Sequence, residues 1–151
     1  MTTAASGDTG DCIFCSALTN NTELILFSGK HVFIILNKFP YNNGHLMLVP
    51  KRHISTLEQL NDEELSELGA LIRTTEIVIN EAYKPNGINV GINLGRSAGA
   101  GLPDHIHVHV VPRWDGDTNF MTVVGETRVV PEEPNQTIER LRPIFSRILE
   151  N

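Results

Sequence analysis

The chain has 151 residues, 40% of them hydrophobic and 20% charged, which fits one globular domain with a buried core. Lys and Arg number 12 and Asp and Glu 18, so the formal net charge is −6. Neutralising phosphates supplies much of the affinity for nucleic acids, so an acidic chain is not expected to bind a nucleic-acid polymer, although it can bind a small anion. No apolar stretch approaches the roughly 20 residues of a membrane-spanning helix, so no membrane partner is expected.

The first 11 residues are small and polar, without the basic start and apolar segment of a signal peptide. We expect them to form a disordered lead before a single domain at residues 12–151. A cytoplasmic location follows by default. In that compartment a pair of cysteines is more often metal-binding or redox-active than a structural disulfide.

The first half of that domain reads as strands followed by a long helix. Residues 23–27 and 31–36 are rich in strand-forming types and flank Ser28 and Gly29, which predicts a hairpin. Residues 37–44 read as a loop and residues 45–49 as a third strand. The helix begins at Asn61, which with Glu64 has the spacing of a capping box, and it ends before Pro85. Six residues recur at spacings of three and four and predict its buried stripe: Leu65, Leu68, Ile72, Thr75, Ile79 and Ala82.

The second half repeats this order. Residues 88–93 and 105–111 read as two further strands, and residues 134–149 as a weaker closing helix that Pro143 breaks up. The predicted strands thus come in two groups, each followed by a helix. In this order, neighbouring strands need no helical crossover between them. The sequence therefore predicts an α+β fold with a mostly antiparallel, five-stranded sheet, one long helix and a C-terminal helix.

Three histidines alternate with apolar residues in the last predicted strand: His105, His107 and His109. Side chains alternate between the faces of a sheet, so the three imidazoles are expected on one face, about 6.6–6.8 Å apart along the strand. Histidine is a nucleophile and a proton carrier at neutral pH. A structural histidine cluster or an accidental metal site is the alternative. Strict alternation of three of the chain's 6 histidines favours a functional site.

Cys12 and Cys15 are the only cysteines, and their spacing suits zinc or a redox pair. A thioredoxin-like motif needs a strand before the pair and a helix after it, whereas here the pair follows the polar lead. The zinc interpretation needs two further ligands, and without them the pair is simply two thiols.

The segment from His105 to Val111 resembles the His-φ-His-φ-His-φ-φ signature of the histidine triad family, in which φ is an apolar residue. Residues 42–53 look like that family's Gly-His-φ-φ-φ-φ-Pro segment and residues 91–101 like its phosphate-binding turn. Residues 112–121 are similar to the branch with Fhit-like and bacterial diadenosine tetraphosphate-cleaving members. The resemblance covers roughly residues 12–130. It implies a HIT-like fold and a homodimer whose sheets join edge to edge.

The resemblance also implies a two-step displacement at phosphorus. His107 would attack the α-phosphorus and form a nucleotidyl-histidine intermediate, which water or phosphate then resolves. His109 would orient or protonate the phosphate, and His45 would support the cluster from the neighbouring strand. The side-chain amide of Asn93 would lie close to the nucleophile and the α-phosphate oxygens.

The phosphate turn departs from the family pattern. The backbone N–H groups of Gly99, Ala100 and Gly101 would cradle phosphate, and a plain loop is the alternative. Many family members carry Gly-Gln-Ser or Gly-Gly-Ser there, but this chain has no Ser or Gln after its glycines, and Ser97 lies earlier. The leaving-group acid and the choice between hydrolase and phosphorylase therefore stay open.

Three further residues match binding positions of the family. Asn37 aligns with the residue that bonds ribose hydroxyls, where Asn is usual in the Fhit branch; a loop-capping Asn is the alternative. Phe14 would line a base pocket or belong to the core. Trp114 would contact a nucleotide or the partner subunit, and otherwise belongs to the core or an interface.

Several bacterial members of the family pair such cysteines with the His of a Pro-Lys-x-His segment and the first His of the triad. The resemblance therefore implies a closed, structural zinc site made by Cys12, Cys15, His53 and His105. An empty thiol pair is the alternative, and no organic cofactor is expected.

These implications favour an enzyme that cleaves dinucleoside polyphosphates of the diadenosine tetraphosphate type. A nucleoside phosphoramidase is the alternative within the same class. The other class is a nucleotide-binding sensor without turnover, which fold membership does not separate from an enzyme. A sensor keeps its ligand intact, whereas an enzyme loses turnover but not binding when His107 is changed.

Overall fold

Five strands and three α-helices make up the described part of the chain, which in this computed structural model comprises residues 12–37, 43–99, 105–117 and 132–150. The predicted lead, residues 1–11, lies outside these ranges. In chain order the elements are α1 (Ile13–Thr19), β1 (Ile25–Ser28), β2 (Val32–Leu36), β3 (Leu46–Pro50), α2 (Asp62–Tyr83), β4 (Gly87–Ile92), β5 (Val108–Arg113) and α3 (Pro134–Leu149).

The strands form one sheet in the order β1-β2-β3-β5-β4, and every neighbouring pair is antiparallel. The predicted α+β class with a five-stranded antiparallel sheet is therefore confirmed. Because β5 lies between β3 and β4, its residue His109 is flanked by Met47 on one side and Gly91 on the other. The last strand in the described residues is thus an interior strand, and its polar residues are held by neighbours on both sides.

The two faces of the sheet have separate cores. One is covered by α2 and α3 and is built on residues that include Ile34, Leu48, Val108, Val110 and Phe145. The other face is covered by α1 and contains Cys12, Phe14, Ala17, Phe33, Ile35, Met47 and Val49. Met47 pairs with His109, so the histidines emerge on the α1 face. Ile106, Val108 and Val110, the apolar residues that alternate with the histidines, are all buried.

Helix α2 begins with the predicted capping box. The Asn61 side chain accepts from the Glu64 N–H, and the Glu64 carboxylate accepts from the Asn61 N–H. The predicted stripe is right in spacing but displaced around the helix: Leu68, Thr75 and Ile79 are buried, whereas Leu65 is 51% exposed. The buried stripe is completed by Glu64, Leu71, Thr74 and Val78, which lie on the side of the helix away from Leu65.

Burial of Glu64 is possible because Arg52 pairs with it. The Arg52 Nε and Nη2 atoms donate to the two carboxylate oxygens of Glu64, each at 2.7 Å. These bonds, with the Asn61 N–H, lower the pKa of Glu64 to about 2. The buried Glu64 carboxylate is thus kept charged by two hydrogen bonds from Arg52, whose own side chain is half exposed.

Three predicted boundaries were wrong. Helix α3 continues through Pro143, because the fully buried Leu141 and Phe145 hold it against the core on both sides of the proline. Residues 22–24 form a 3-10 turn, and β1 begins only at Ile25. Strand β5 begins at Val108 rather than at residue 105, because the pairings with both β3 and β4 end there. None of the helices in the described ranges is long and apolar enough to cross a membrane.

Candidate active site and metal site

His107 is held in one tautomer by the backbone of the residue two positions earlier. Its Nδ1 atom lies 2.9 Å from the carbonyl oxygen of His105. A carbonyl only accepts hydrogen bonds, so Nδ1 carries the proton and Nε2 keeps its lone pair. The ring is partly exposed. The geometry therefore offers Nε2 of His107 as a nucleophile in the neutral imidazole.

A chain of close polar contacts links the neighbouring His109 to Asn37. The Asn37 amide nitrogen lies 3.0 Å from His45 Nδ1 and 3.4 Å from His45 Nε2, and His45 Nε2 lies 3.0 Å from His109 Nδ1. In the tautomer in which His45 donates from Nε2, His109 accepts at Nδ1 and carries its own proton on Nε2. That arrangement places a lone pair on His107 beside an N–H donor on His109.

Burial keeps these supporting imidazoles neutral. It lowers the pKa of His45 to about 4, with further contributions from the charges of His109 and His107. Burial and the neighbouring His107 also lower the pKa of His109. Neutral rings are what the chain of hydrogen bonds requires, because a doubly protonated imidazole has no acceptor.

The three imidazoles do not form an evenly spaced row. The ring centroids of His107 and His109 are 4.7 Å apart with an interplanar angle of 73°, closer than the predicted 6.6–6.8 Å along the strand. His105 and His107 lie before the first residue of β5. In the described residues, the backbone of this segment is bonded to one neighbouring segment, through the Ile106 N–H, which donates to the Ile54 carbonyl at 2.7 Å. Freed from the ladder, the His105 ring contacts a different set of groups from its two successors.

His105 belongs to a compact cluster with Cys12, Cys15 and His53, whose ligand atoms all lie within 4.8 Å of one another. Nδ1 of His105 is 3.3 Å from Cys12 Sγ, 3.7 Å from Cys15 Sγ and 3.2 Å from His53 Nδ1, and Cys15 Sγ is 3.4 Å from His53 Nδ1. The structure thus brings together all four residues of the predicted metal site, which could hold a metal ion.

The donor set fits zinc. Bonds of about 2.0–2.1 Å to nitrogen and about 2.3 Å to sulfur in a tetrahedron imply ligand–ligand distances of about 3.3–3.8 Å. Four of the six separations lie between 3.2 and 3.7 Å and match those edges, and the other two lie within 4.8 Å. His105 Nε2 lies 2.8 Å from the Pro50 carbonyl, to which its N–H donates, so that Nδ1 faces the cluster. Burial lowers the pKa of His105 to about 4, which keeps it in the ligating neutral form.

Phe14 connects the two parts of the site. It lies on α1 between the two cysteines, and its ring centroid is 5.5 Å from that of His105 and 4.9 Å from that of His107. The side chain is 5% exposed and also belongs to the core on the α1 face. Phe14 is therefore a wall of the site and a core residue at once.

Several predicted binding residues lie at the end of β4. Ile92 pairs with Val108, so Asn93 follows at the position opposite His107. Asn93 is exposed, and a β-carbon added at Gly99 would stand 3.7 Å from its amide nitrogen. Gly99 has φ +93°, a left-handed conformation that favours glycine, after a 3-10 turn that contains Ser97. Ala100 and Gly101 lie outside the described residues.

Trp114 lies at the opposite end of β5. It lies seven positions after His107, roughly 23 Å along an extended chain. Its ring meets Tyr83 edge-on, with centroids 6.3 Å apart. The structure therefore does not bring Trp114 to the histidines of its own chain.

Sequence reasoning missed two parts of the site. The contact of the Asn37 amide with His45 has no local signal in the sequence, and the role of Asn37 at ribose stays a prediction. The role of Arg52 was also missed, although its place beside His53 and the acidic start of α2 were visible in the sequence. Its pairing with Glu64 needs the fold to bring the two together.

Comparison with known proteins agrees with the fold and the site. The HIT domain matches residues 19–116, and the chain therefore belongs to the HIT family. An AP-4-A phosphorylase of Mycobacterium tuberculosis is 50% identical over 130 residues, 86% of this chain and 67% of the relative. A bis(5'-nucleosyl)-tetraphosphatase of Schizosaccharomyces pombe is 34% identical over 93 residues, 62% of this chain and 50% of the relative. A crystal structure of a Zn-bound histidine triad family protein from Mycobacterium smegmatis superposes with TM-score 0.74 at 25% identity, covering 93% of this chain and 96% of the other.

The lowered pKa of His45 predicts a pH dependence of stability. The folded state takes up this proton only near pH 4, whereas the unfolded state takes it up near the usual 6.5. Between these values the unfolded state binds more protons, so the free energy of unfolding falls as the pH falls. We expect His45 to account for a loss of about 1–3 kcal/mol between about pH 7 and pH 4.

Urea denaturation of the wild type and of His45→Gln across that pH range measures this loss. As the pH falls, the variant should lose less stability than the wild type. The difference between their losses in free energy of unfolding should appear mainly below about pH 6.5. Other titrating groups, including His105, are common to both proteins and cancel in the comparison. Parallel curves for the two proteins would show that His45 is not held neutral by the fold.

Proposed function

We propose that this protein cleaves dinucleoside polyphosphates of the diadenosine tetraphosphate type at the α-phosphorus, with His107 as the nucleophile. The observation that carries the proposal is the tautomer of His107, whose Nδ1–H is bound to the His105 carbonyl and whose Nε2 lone pair is available. The similarity to an AP-4-A phosphorylase supports the substrate class.

The geometry suits a two-step transfer. In the first step Nε2 of His107 forms a bond to the α-phosphorus while the bond from phosphorus to the bridging oxygen of the leaving polyphosphate breaks. The positive charge that develops on the imidazole is stabilised by the His105 carbonyl at Nδ1. The Nε2–H of His109, directed by the bonds through His45 and Asn37, would donate to phosphate oxygen.

In the second step an acceptor attacks the phosphorus and the bond to His107 breaks. With water as the acceptor, diadenosine tetraphosphate yields AMP and ATP. With phosphate as the acceptor it yields ADP and ATP. We propose the remaining contacts by position: Asn93 and the turn at Gly99, Ala100 and Gly101 at phosphate, Asn37 at ribose and Phe14 beside the base. Trp114 would contribute from a second subunit.

Product analysis tests this function. Wild type and His107→Asn are each incubated with diadenosine tetraphosphate, with and without phosphate, and the products are separated by chromatography. We expect the variant to lose at least about 10³-fold in turnover while still binding the dinucleotide, because a covalent nucleophile is needed only for the chemical steps. AMP and ATP identify a hydrolase, and ADP formed only with phosphate identifies a phosphorylase.

The same assay separates the alternatives. A dinucleotide that survives the wild type unchanged would reject this substrate class, and adenosine phosphoramidates would be tested next. A protein that binds nucleotide tightly and leaves both substrates intact is a sensor. Equal turnover by wild type and His107→Asn would exclude His107 as the nucleophile.

We further propose that the Cys12, Cys15, His53 and His105 cluster holds a structural zinc ion. Four protein ligands leave no open coordination position, and His105 and Cys12 are almost wholly buried, so the metal would supply cross-linking and not chemistry. Thiolate ligands suit a reducing compartment, which supports the proposed cytoplasmic location.

Metal analysis tests the zinc site. Purified wild type should contain about one zinc per chain, and His53→Ala should lose most of it, because three ligands bind zinc far more weakly than a closed set of four. Removal of zinc by a chelator should lower the melting temperature of the wild type but not of the variant. Zinc retained in full by His53→Ala would refute this ligand set.

We also propose a homodimer that joins through β4. This strand is at the edge of the sheet and is paired only with β5 in the described residues. Val90 on β4 and Leu94 just after it are 51% and 43% exposed. An exposed edge strand with apolar side chains is a site for pairing with another chain, and a second copy of β4 would cover it.

Sedimentation velocity tests the dimer. The wild type should sediment as a dimer, and Val90→Lys should shift the equilibrium toward monomer by at least about tenfold, because it places a charge in an apolar contact. Ile13→Lys on α1 is the matched control, since Ile13 is equally apolar and 68% exposed but lies on another element. A wild-type monomer, or equal effects of the two variants, would contradict dimerisation through β4.

A further inference from the structure

We propose that Arg52 is a positioning residue for the metal site. By clamping residues 50–53 to α2, its side chain holds both histidine ligands in place from outside the cluster. This inference rests on the zinc site proposed above and concerns the affinity of that site.

Residues 50–53 control two of the four ligands. His53 is itself a ligand, and the Pro50 carbonyl accepts the Nε2–H of His105 at 2.8 Å and so directs Nδ1 of His105 toward the cluster. A displacement of this short segment would therefore move His53 directly and would break the hydrogen bond that orients His105.

The segment leaves the sheet at Pro50, and the six residues that follow belong to no helix or strand. Its backbone is held at two points, by the Lys51 N–H on the His31 carbonyl and by the Ile54 carbonyl on the Ile106 N–H. Between these points the attachment is made by the Arg52 side chain. Its guanidinium bonds both carboxylate oxygens of Glu64 and, through Nη2, the Gln59 carbonyl at 2.8 Å.

Glu64 is a rigid anchor for that clamp. It lies in the first turn of a 22-residue helix, is only 2% exposed and exchanges two hydrogen bonds with Asn61 in the capping box. An exposed ion pair constrains little because both side chains are free to move. Here one partner is fixed and buried, and the bidentate geometry fixes the other.

Loss of the clamp should weaken metal binding before it affects the chemistry. Groups that orient ligands from outside the coordination sphere typically contribute 10–100-fold, or about one to two orders of magnitude, to metal affinity. We expect Arg52→Met, which keeps the apolar stem of the side chain, to weaken zinc binding by about that factor. Glu64→Gln should weaken it in the same direction, because the neutral amide cannot accept both guanidinium bonds.

The experiment measures zinc affinity by competition with a chromophoric chelator, together with thermal unfolding of each protein with and without zinc. Arg147→Met is the matched control, because Arg147 also bonds both carboxylate oxygens of a glutamate on α2, here Glu81 through Nη2, and is not part of the metal cluster. The control should bind zinc as the wild type does. Arg52→Met should bind it more weakly and gain less in melting temperature when zinc is added.

A purely structural role gives a different result. In that case Arg52→Met lowers the melting temperatures of the zinc-free and zinc-loaded forms equally and leaves the affinity unchanged, which would overturn the inference. If Arg52→Met does not fold, Arg52→Lys supplies the test. It keeps the charge but not the planar fork, so faster zinc release is expected and a wild-type release rate would refute the clamp. A wild type that binds no zinc refutes the metal site itself, whereas unchanged affinity in the variants refutes only the role of Arg52.

Discussion

The hydrogen bond from His107 Nδ1 to the His105 carbonyl is the contact on which the proposed chemistry depends. In the neutral imidazole it assigns the proton to one nitrogen and the lone pair to the other, so the proposed nucleophile needs no separate base. The acceptor is a backbone atom of a residue whose side chain belongs to the cluster with Cys12, Cys15 and His53. Whatever fixes His105 therefore also fixes the tautomer of His107, and the two halves of the site share one residue.

The sheet explains why His105 and His109 have different partners. His109 lies within β5, flanked by strands on both sides, so its backbone is fixed and its ring can take part in a chain of contacts to His45 and Asn37. His105 lies three residues before the strand begins, under α1, where the cysteines are. Alternation keeps the rings on one face, and the end of the ladder at Val108 lies between these two histidines.

Local patterns were readable from the sequence, and non-local ones were not. The capping box at Asn61 and Glu64 depends on residues three apart, and the class of the sheet follows from the order of the elements. The start of β5 could not be predicted, because it depends on where two other strands end. The burial of Leu65 was misjudged because spacing gives the period of a stripe, whereas the surrounding core decides its exact phase. The pairing of Arg52 with Glu64 likewise required the folded chain.

The proposed covalent nucleophile needs rigidity that an apolar core alone does not supply. Apolar packing is non-directional, so it holds the Phe14 ring against His107 but cannot choose which nitrogen of the imidazole is protonated. That choice requires a directional bond, which here comes from the His105 carbonyl. His105 is in turn held by residues 50–54, through the bond from its ring to the Pro50 carbonyl and the bond from the Ile106 N–H to the Ile54 carbonyl. Directional order at His107 thus derives in part from order in the segment that carries His53.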